Sequence, residues 1–321
     1  MTVLRLLAGL ASDLAQVEAV MAKVLASDEP RVNSLIDSLG GFHGKMLRPS
    51  VVLLVAQAMG GIRPEHHRLG AALEMIHTAT LIHDDMIDEA DTRRGKPTAH
   101  VAHGTSIAVL LGDYFYTHAF SLVSDLTHPW VMDRLTRTTN VVCRGELHQM
   151  IARRDVDLTE AEYDRIIYAK TAALTELAGE LGAVSGTSEQ RAGAAAYGRC
   201  IGMAFQIVDD CLDFTGDPQK VGKTLATDIE RGRLTLPILR LLAATEPARR
   251  HAVAHELVGA TSPSAVAEVR RRVVEGGGVA SALGTARQHV AEAKRHLAAL
   301  PAGAGRDRLG ELADFIVARD F

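Results

Sequence analysis

The sequence predicts an all-α protein, a single large bundle of about ten or more helices. Three observations carry that expectation. Apolar residues recur at helical spacing over long stretches, clean period-two alternation is scarce, and Gly- and Pro-containing breaks punctuate the apolar runs.

The elements follow in order. Leu4, Leu7, Leu10, Leu14 and Val17 fall at helix spacing near the start. The stretch from Gly70 to Ala90 is apolar for most of its length and then turns acidic, as a buried helix with a functional end would. Ile166 to Gly186 and Arg191 to Phe214 have the same character. Breaks are expected at Gly40-Gly41, Gly60-Gly61, Gly95-Lys96-Pro97, His128-Pro129, Gly216-Asp217-Pro218, Thr261-Ser262-Pro263, Gly276-Gly277-Gly278 and Pro301 to Gly305. No break is long enough to be a flexible linker, so residues 1–321 are expected to form one domain.

Composition narrows the function classes. Hydrophobic residues make up 47% and aromatics only 4%, so the core must be built mostly from Leu, Ala, Val and Ile. The formal net charge of −4 argues against a general nucleic-acid binder, while leaving room for a local basic pocket. No apolar stretch is long enough to span a bilayer, and residues 1–10 lack the pattern of a secretory signal. Cys143, Cys200 and Cys211 have no ligand-type spacing and are expected to be buried reduced thiols of a cytoplasmic protein.

Two acidic motifs decide the chemistry. Asp84-Asp85-Met86-Ile87-Asp88 and Asp209-Asp210-Cys211-Leu212-Asp213 share one spacing, and each ends a strongly apolar helical run. Residues four apart share a helix face, so Asp84 projects with Asp88 and Asp209 with Asp213. Two unit charges about 4 Å apart repel by roughly 4 kcal/mol at an effective dielectric of about 20. A helix C-terminus, already negative, aggravates this. Carboxylates without His or Cys suit a hard divalent ion, and Mg2+ completes its shell with water and phosphate oxygens. The expectation is therefore Mg2+ with a diphosphate, held between two facing helices. Basic residues lie nearby in sequence: Lys45 and Arg48, then Arg93-Arg94-Gly95-Lys96, then Lys170 inside an apolar run, then Lys223. Arg offers a planar fork matched to phosphate, and Lys a point charge.

These segments together resemble the trans-type isoprenyl diphosphate synthases, the polyprenyl synthetase family. The resemblance runs from about Gly40 to Arg319 and rests on Gly44 to Pro49, Glu74 to Ala79, His83 to Gly95, Lys170-Thr171-Ala172 and Phe205 to Phe214. It implies helices around a central cavity, Mg2+ as cofactor and a homodimer. It also implies a prenyl transfer from an allylic diphosphate to isopentenyl diphosphate. By the resemblance, Asp84, Asp85, Asp88, Asp209, Asp210 and Asp213 would hold Mg2+ ions. Arg93, Lys170 and Lys223 would contact the allylic diphosphate, with Thr171 and Gln206 near the reacting carbons. Lys45, Arg48, His77 and Arg94 would bind isopentenyl diphosphate. Ala79 and Thr80, one turn before the first motif, are small where the family's short-chain members carry bulky aromatics, which favours a medium or long product.

One departure concerns the segment before Thr235-Leu236-Pro237. There the family often shows Glu-Gly-Lys, whereas this chain has Arg231-Gly232-Arg233. Rival readings are a short-chain synthase, a class I terpene cyclase and a non-catalytic synthase subunit. A cyclase has no second diphosphate for Lys45, Arg48 and Arg94 to hold. A non-catalytic subunit should have lost part of one site, yet both acidic motifs are intact.

Overall fold

Proline opens helix after helix. Pro30, Pro64, Pro247 and Pro263 each stand in the first turn, where a missing N–H costs nothing. The computed structural model of the chain describes residues 8–39, 46–216 and 227–318. Within them the helices run α1 (Ala11–Leu25), α2 (Pro30–Ser38), α3 (Leu47–Ala58), α4 (Pro64–Ile87), α5 (Ala99–His103), α6 (Thr105–Val123), α7 (Pro129–Ile151) and α8 (Glu160–Ile167). A single π-helical turn, Tyr168–Ala172, leads into α9 (Ala173–Gly182). Then come α10 (Ser188–Thr215), α11 (Thr227–Glu230), α12 (Leu236–Ala244), α13 (Pro247–Val258), α14 (Pro263–Glu275), α15 (Gly278–His296) and α16 (Ala304–Ala318). The expected breaks at Gly40-Gly41 and Asp217-Pro218 lie outside the described residues.

The one piece of sheet among the described residues is a two-stranded antiparallel ribbon, β1 (Thr92–Arg93) with β2 (Lys96–Pro97). Its turn residues, Arg94 at φ 52° and Gly95 at φ 75°, both take positive φ. That is the backbone of a tight two-residue hairpin. Helical periodicity could not announce so short a ribbon.

The described residues fall into two compact units. One comprises Met1–Thr139, Leu177–Ala195 and Leu297–Glu311; the other comprises Asn140–Glu176, Ala196–His296 and Leu312–Phe321. In the first, α4 packs against α1, α3 and α6. The run Val51 to Ala56 is wholly buried, with Leu69, Leu73, Ile76, Val17, Met21 and Phe115. In the second, α12 and α14 pack on α15, burying Leu236, Ile238, Leu242, Val273, Ala282 and Ala286. This is the small aliphatic core that the low aromatic content requires. Cys200 and Cys211 are buried free thiols, as expected; Cys143 is not, because it lies on the exposed face of α7.

Close approach in the second unit depends on glycine. A Cβ on Gly202 of α10 would stand 2.5 Å from the Ala172 Cα, and one on Gly145 of α7 would stand 2.6 Å from the Ala169 Cβ. Both glycines therefore let a helix press against the π-turn. Helix propensity alone would make Gly202→Ala stabilising by about 1 kcal/mol. We expect the opposite, a loss of about 1–3 kcal/mol from overpacking, read as a lower midpoint in urea unfolding. A raised midpoint would show that close packing is not what Gly202 serves.

Candidate active site

The first acidic motif closes α4. Asp84 and Asp85 lie in its last turn, and Asp88 is the C-cap residue, its N–H donating to the Asp84 carbonyl at 2.8 Å. The three carboxylates do not share one environment. Asp84 and Asp88 are half-buried, whereas Asp85 is buried and turned toward the ribbon. There Arg93 grips it bidentately, Nε donating to Oδ2 at 2.6 Å and Nη2 to Oδ1 at 2.7 Å. The intervening loop is closed by Ala90 N–H on the Asp85 carbonyl at 2.8 Å and by Thr98 Oγ1 on the Ala90 carbonyl at 2.7 Å. The hairpin thus returns a cation to the negative end of the helix that precedes it.

A cationic cluster belongs to the same unit. Arg48 starts α3, Glu74 and His77 lie one turn apart on α4, and Arg93 and Arg94 come from the ribbon. Burial, reinforced by Arg48, Arg93 and Arg94, drives the His77 imidazole well below its ordinary pKa, so it is neutral at physiological pH. Burial pushes the Glu74 carboxyl up, and Arg48 and Arg94 oppose that push. Arg48 Nε and Glu74 Oε2 are buried without a hydrogen-bond partner. Arg48, Arg94 and the Asp85-paired Arg93 beside one neutral ring form a donor-rich group, of the kind that suits a multiply charged anion. Lys45, expected in this cluster, lies outside the described residues.

The second motif ends α10. Asp210 is buried, and both of its oxygens are taken by neutral donors: the Tyr163 hydroxyl at 2.6 Å on Oδ2 and the Gln206 carboxamide at 2.8 Å on Oδ1. Thr171 in turn donates to Gln206 Oε1 at 2.7 Å. Burial, and then the neighbouring Asp228, lift the Asp210 carboxyl well above the usual carboxylate range. Asp213 accepts the Asp228 backbone N–H at 3.1 Å, and Arg233 pairs with Asp228 at 3.4 Å. Arg233, set aside from the sequence as a departure, thus balances this acidic group. Asp209 stays half-buried, and Lys223 is outside the described residues.

Lys170 sits in the π-turn, a local winding often found at functional sites. Its ammonium meets Glu146 of α7 at 2.8 Å, an approach that Gly145 permits. Glu146, Tyr163 and Asp228 were not among the expected site residues. The signal available was faint: a Gly-Glu pair on α7, and an acidic start to α11. Ala79 is fully buried on α4, and half-buried Thr80 donates its hydroxyl back to the His77 carbonyl at 2.7 Å.

Among the described residues no three His, Cys, Asp or Glu side chains converge to hold a metal by themselves. Each helix end nonetheless supplies carboxylate oxygen alone, the donor set of a hard ion that keeps water or phosphate in its shell. Asp85 and Asp210 already take protein donors at both oxygens.

A model of the polyprenyl synthetase family matches residues 29–275. The octaprenyl diphosphate synthase of Escherichia coli (strain K12) is 41% identical over 234 residues, covering 72% of each chain. Among solved structures, a polyprenyl synthase from Caulobacter crescentus CB15, complexed with calcium and isoprenyl diphosphate, superposes with a TM-score of 0.93. It shares 34% identity and covers 100% of this chain and 98% of that one. A decaprenyl diphosphate synthase from Rhodobacter capsulatus gives a TM-score of 0.92 at 34% identity, with 100% of both chains covered.

The Arg48–Glu74 couple yields a direct check. Arg48→Met leaves Glu74 a buried carboxylate beside one charge fewer, with an expected cost of about 3 kcal/mol. Glu74→Gln on top of it should recover part of that loss in thermal unfolding. Additive losses would show that the two side chains do not support each other.

Proposed function

This chain belongs to the polyprenyl synthetase family, and we propose that it lengthens an allylic diphosphate (geranyl, farnesyl or geranylgeranyl) with isopentenyl diphosphate units to an all-trans polyprenyl diphosphate of medium or long chain. It is a prenyltransferase. The observation that carries the substrate assignment is the arginine cluster around neutral His77, in the unit that also holds the first acidic motif. A synthase needs one anion site built from side-chain cations and another built from carboxylates and metal. A terpene cyclase needs only the latter.

Lys45, Arg48, His77 and Arg94 bind the diphosphate of isopentenyl diphosphate. Neutral His77 contributes a hydrogen bond there without adding charge. Arg93, Lys170 and Lys223 contact the allylic diphosphate, the first two sharing their charge with Asp85 and Glu146. Asp84, Asp85 and Asp88 of the first motif, with Asp209, Asp210 and Asp213 of the second, would hold Mg2+. Bound Mg2+ supplies Lewis-acid stabilisation of the departing diphosphate. The allylic C–O bond breaks, the isopentenyl double bond attacks the freed carbon, and a proton leaves to the released diphosphate. The Thr171 hydroxyl and the Gln206 carbonyl, bonded to each other, lie near the cationic carbon. No enzyme nucleophile is needed.

Residues 1–321 act as one synthase domain; the matched stretch 29–275 draws on both compact units. The working form we infer is a cytoplasmic homodimer, supported by the apolar side chains that Val101, Val109 and Leu110 leave at the surface of α5 and α6.

Incubation with isopentenyl diphosphate, Mg2+ and each allylic primer, followed by mass spectrometry, should yield a polyprenyl diphosphate that disappears on adding a chelator. Asp84→Ala should lower turnover by about a hundredfold or more. Near-normal turnover would sink the metal assignment, and diphosphate release without condensation would point to a cyclase. Ala79→Phe should shorten the product, as should Thr80→Phe at the less crowded neighbouring position. Unchanged product lengths in both would exclude these residues from the path of the growing chain.

A further inference from the structure

We propose that Tyr163 is a positioning residue for condensation, its buried hydroxyl fixing Asp210 and, through Asp210, the carboxamide of Gln206. Tyr163 is 3% exposed on α8, where a phenylalanine would fill the same space. A buried hydroxyl needs a partner, and a backbone carbonyl is the ordinary one. Tyr163 instead donates to a carboxylate at 2.6 Å.

The bond matters because of what Asp210 does with its other oxygen. Oδ1 accepts from Gln206 Nε2 at 2.8 Å, so the carboxylate cannot rotate without losing one of its two donors. Gln206 is oriented in the same way. Its amide nitrogen faces the carboxylate, and its carbonyl oxygen accepts the Thr171 hydroxyl at 2.7 Å. A flipped amide would set oxygen against carboxylate and leave Thr171 without that acceptor. The chain Tyr163–Asp210–Gln206–Thr171 thus has one sense, and it joins α8, α10 and the π-turn. Tyr163 stands at the far end, three bonds from Thr171. Removing its hydroxyl leaves Asp210 buried on a single donor and lets it turn, and Gln206 turns with it.

This inference rests on the functional reading above, in which Thr171 and Gln206 stand beside the reacting carbons. Acting through Asp210, Tyr163 should alter turnover and not affinity. The test is a double-mutant cycle with Tyr163→Phe, Gln206→Ala and the double variant, with kcat, KM for both diphosphates and thermal midpoint measured for each. Tyr163→Phe is expected to lower kcat by about ten- to a hundredfold, the usual effect of losing an outer-sphere partner, with both KM values within about twofold of wild type. In the Gln206→Ala background the same change should lower kcat by less than about twofold, because residues acting as a unit are not additive. An unchanged kcat in Tyr163→Phe, or an equal loss in both backgrounds, would overturn the proposal. If Tyr163→Phe unfolds early, Asp210→Asn probes the same joint at constant shape, and wild-type kcat in that variant would overturn it equally. Wild-type condensation is the first control: its absence would overturn the functional reading itself, whereas an additive cycle in an active enzyme overturns only the role of Tyr163.

Discussion

Two helices of this protein end in clustered carboxylates, at the pole where the peptide dipoles are already negative. Everything near these ends answers to that unfavourable concentration of charge. The protein turns the middle aspartate of each motif inward and satisfies it in one of two ways. Asp85 receives a full cation, the bidentate guanidinium of Arg93. Asp210 receives two neutral donors, Tyr163 and Gln206, and its carboxyl shifts upward accordingly. The first solution cancels charge outright. The second lets burial and Asp228 weaken the charge while hydrogen bonds hold the group still.

Much of this was legible in the sequence. The long apolar runs became α4 and α10, and each acidic motif stands at the end of its helix, as the apolar run before it indicated. Spacing alone could not tell that Asp85 and Asp210 differ from their neighbours. That difference depends on Arg93 returning through a turn with two positive-φ residues, and on Tyr163 arriving from a helix 47 residues away. Tertiary pairings of this kind leave no local signature. Neither did the exposure of Cys143, since a thiol on a mixed helix face has no period of its own.

The arginine cluster shows a different balance. Glu74 and His77 lie one turn apart on α4, yet burial acts on them in opposite directions: it lifts the carboxyl and depresses the imidazole. Both shifts reduce the charge buried beside Arg48. A neutral ring among guanidinium groups offers hydrogen bonding without further repulsion, and the buried, unpartnered Arg48 Nε and Glu74 Oε2 mark the strain of that arrangement.

The π-turn at Tyr168–Ala172 has a consequence for how such a chain can diverge. It is, in effect, one residue inserted into a helix, and each residue of an α-helix turns the next by about 100°. Loss of a single codon there would restore regular winding and swing every side chain before it by that angle relative to α9. Lys170 and Thr171 would then face different neighbours without any substitution at either position. In this stretch a change of length alone, with every remaining letter kept, would redraw the site.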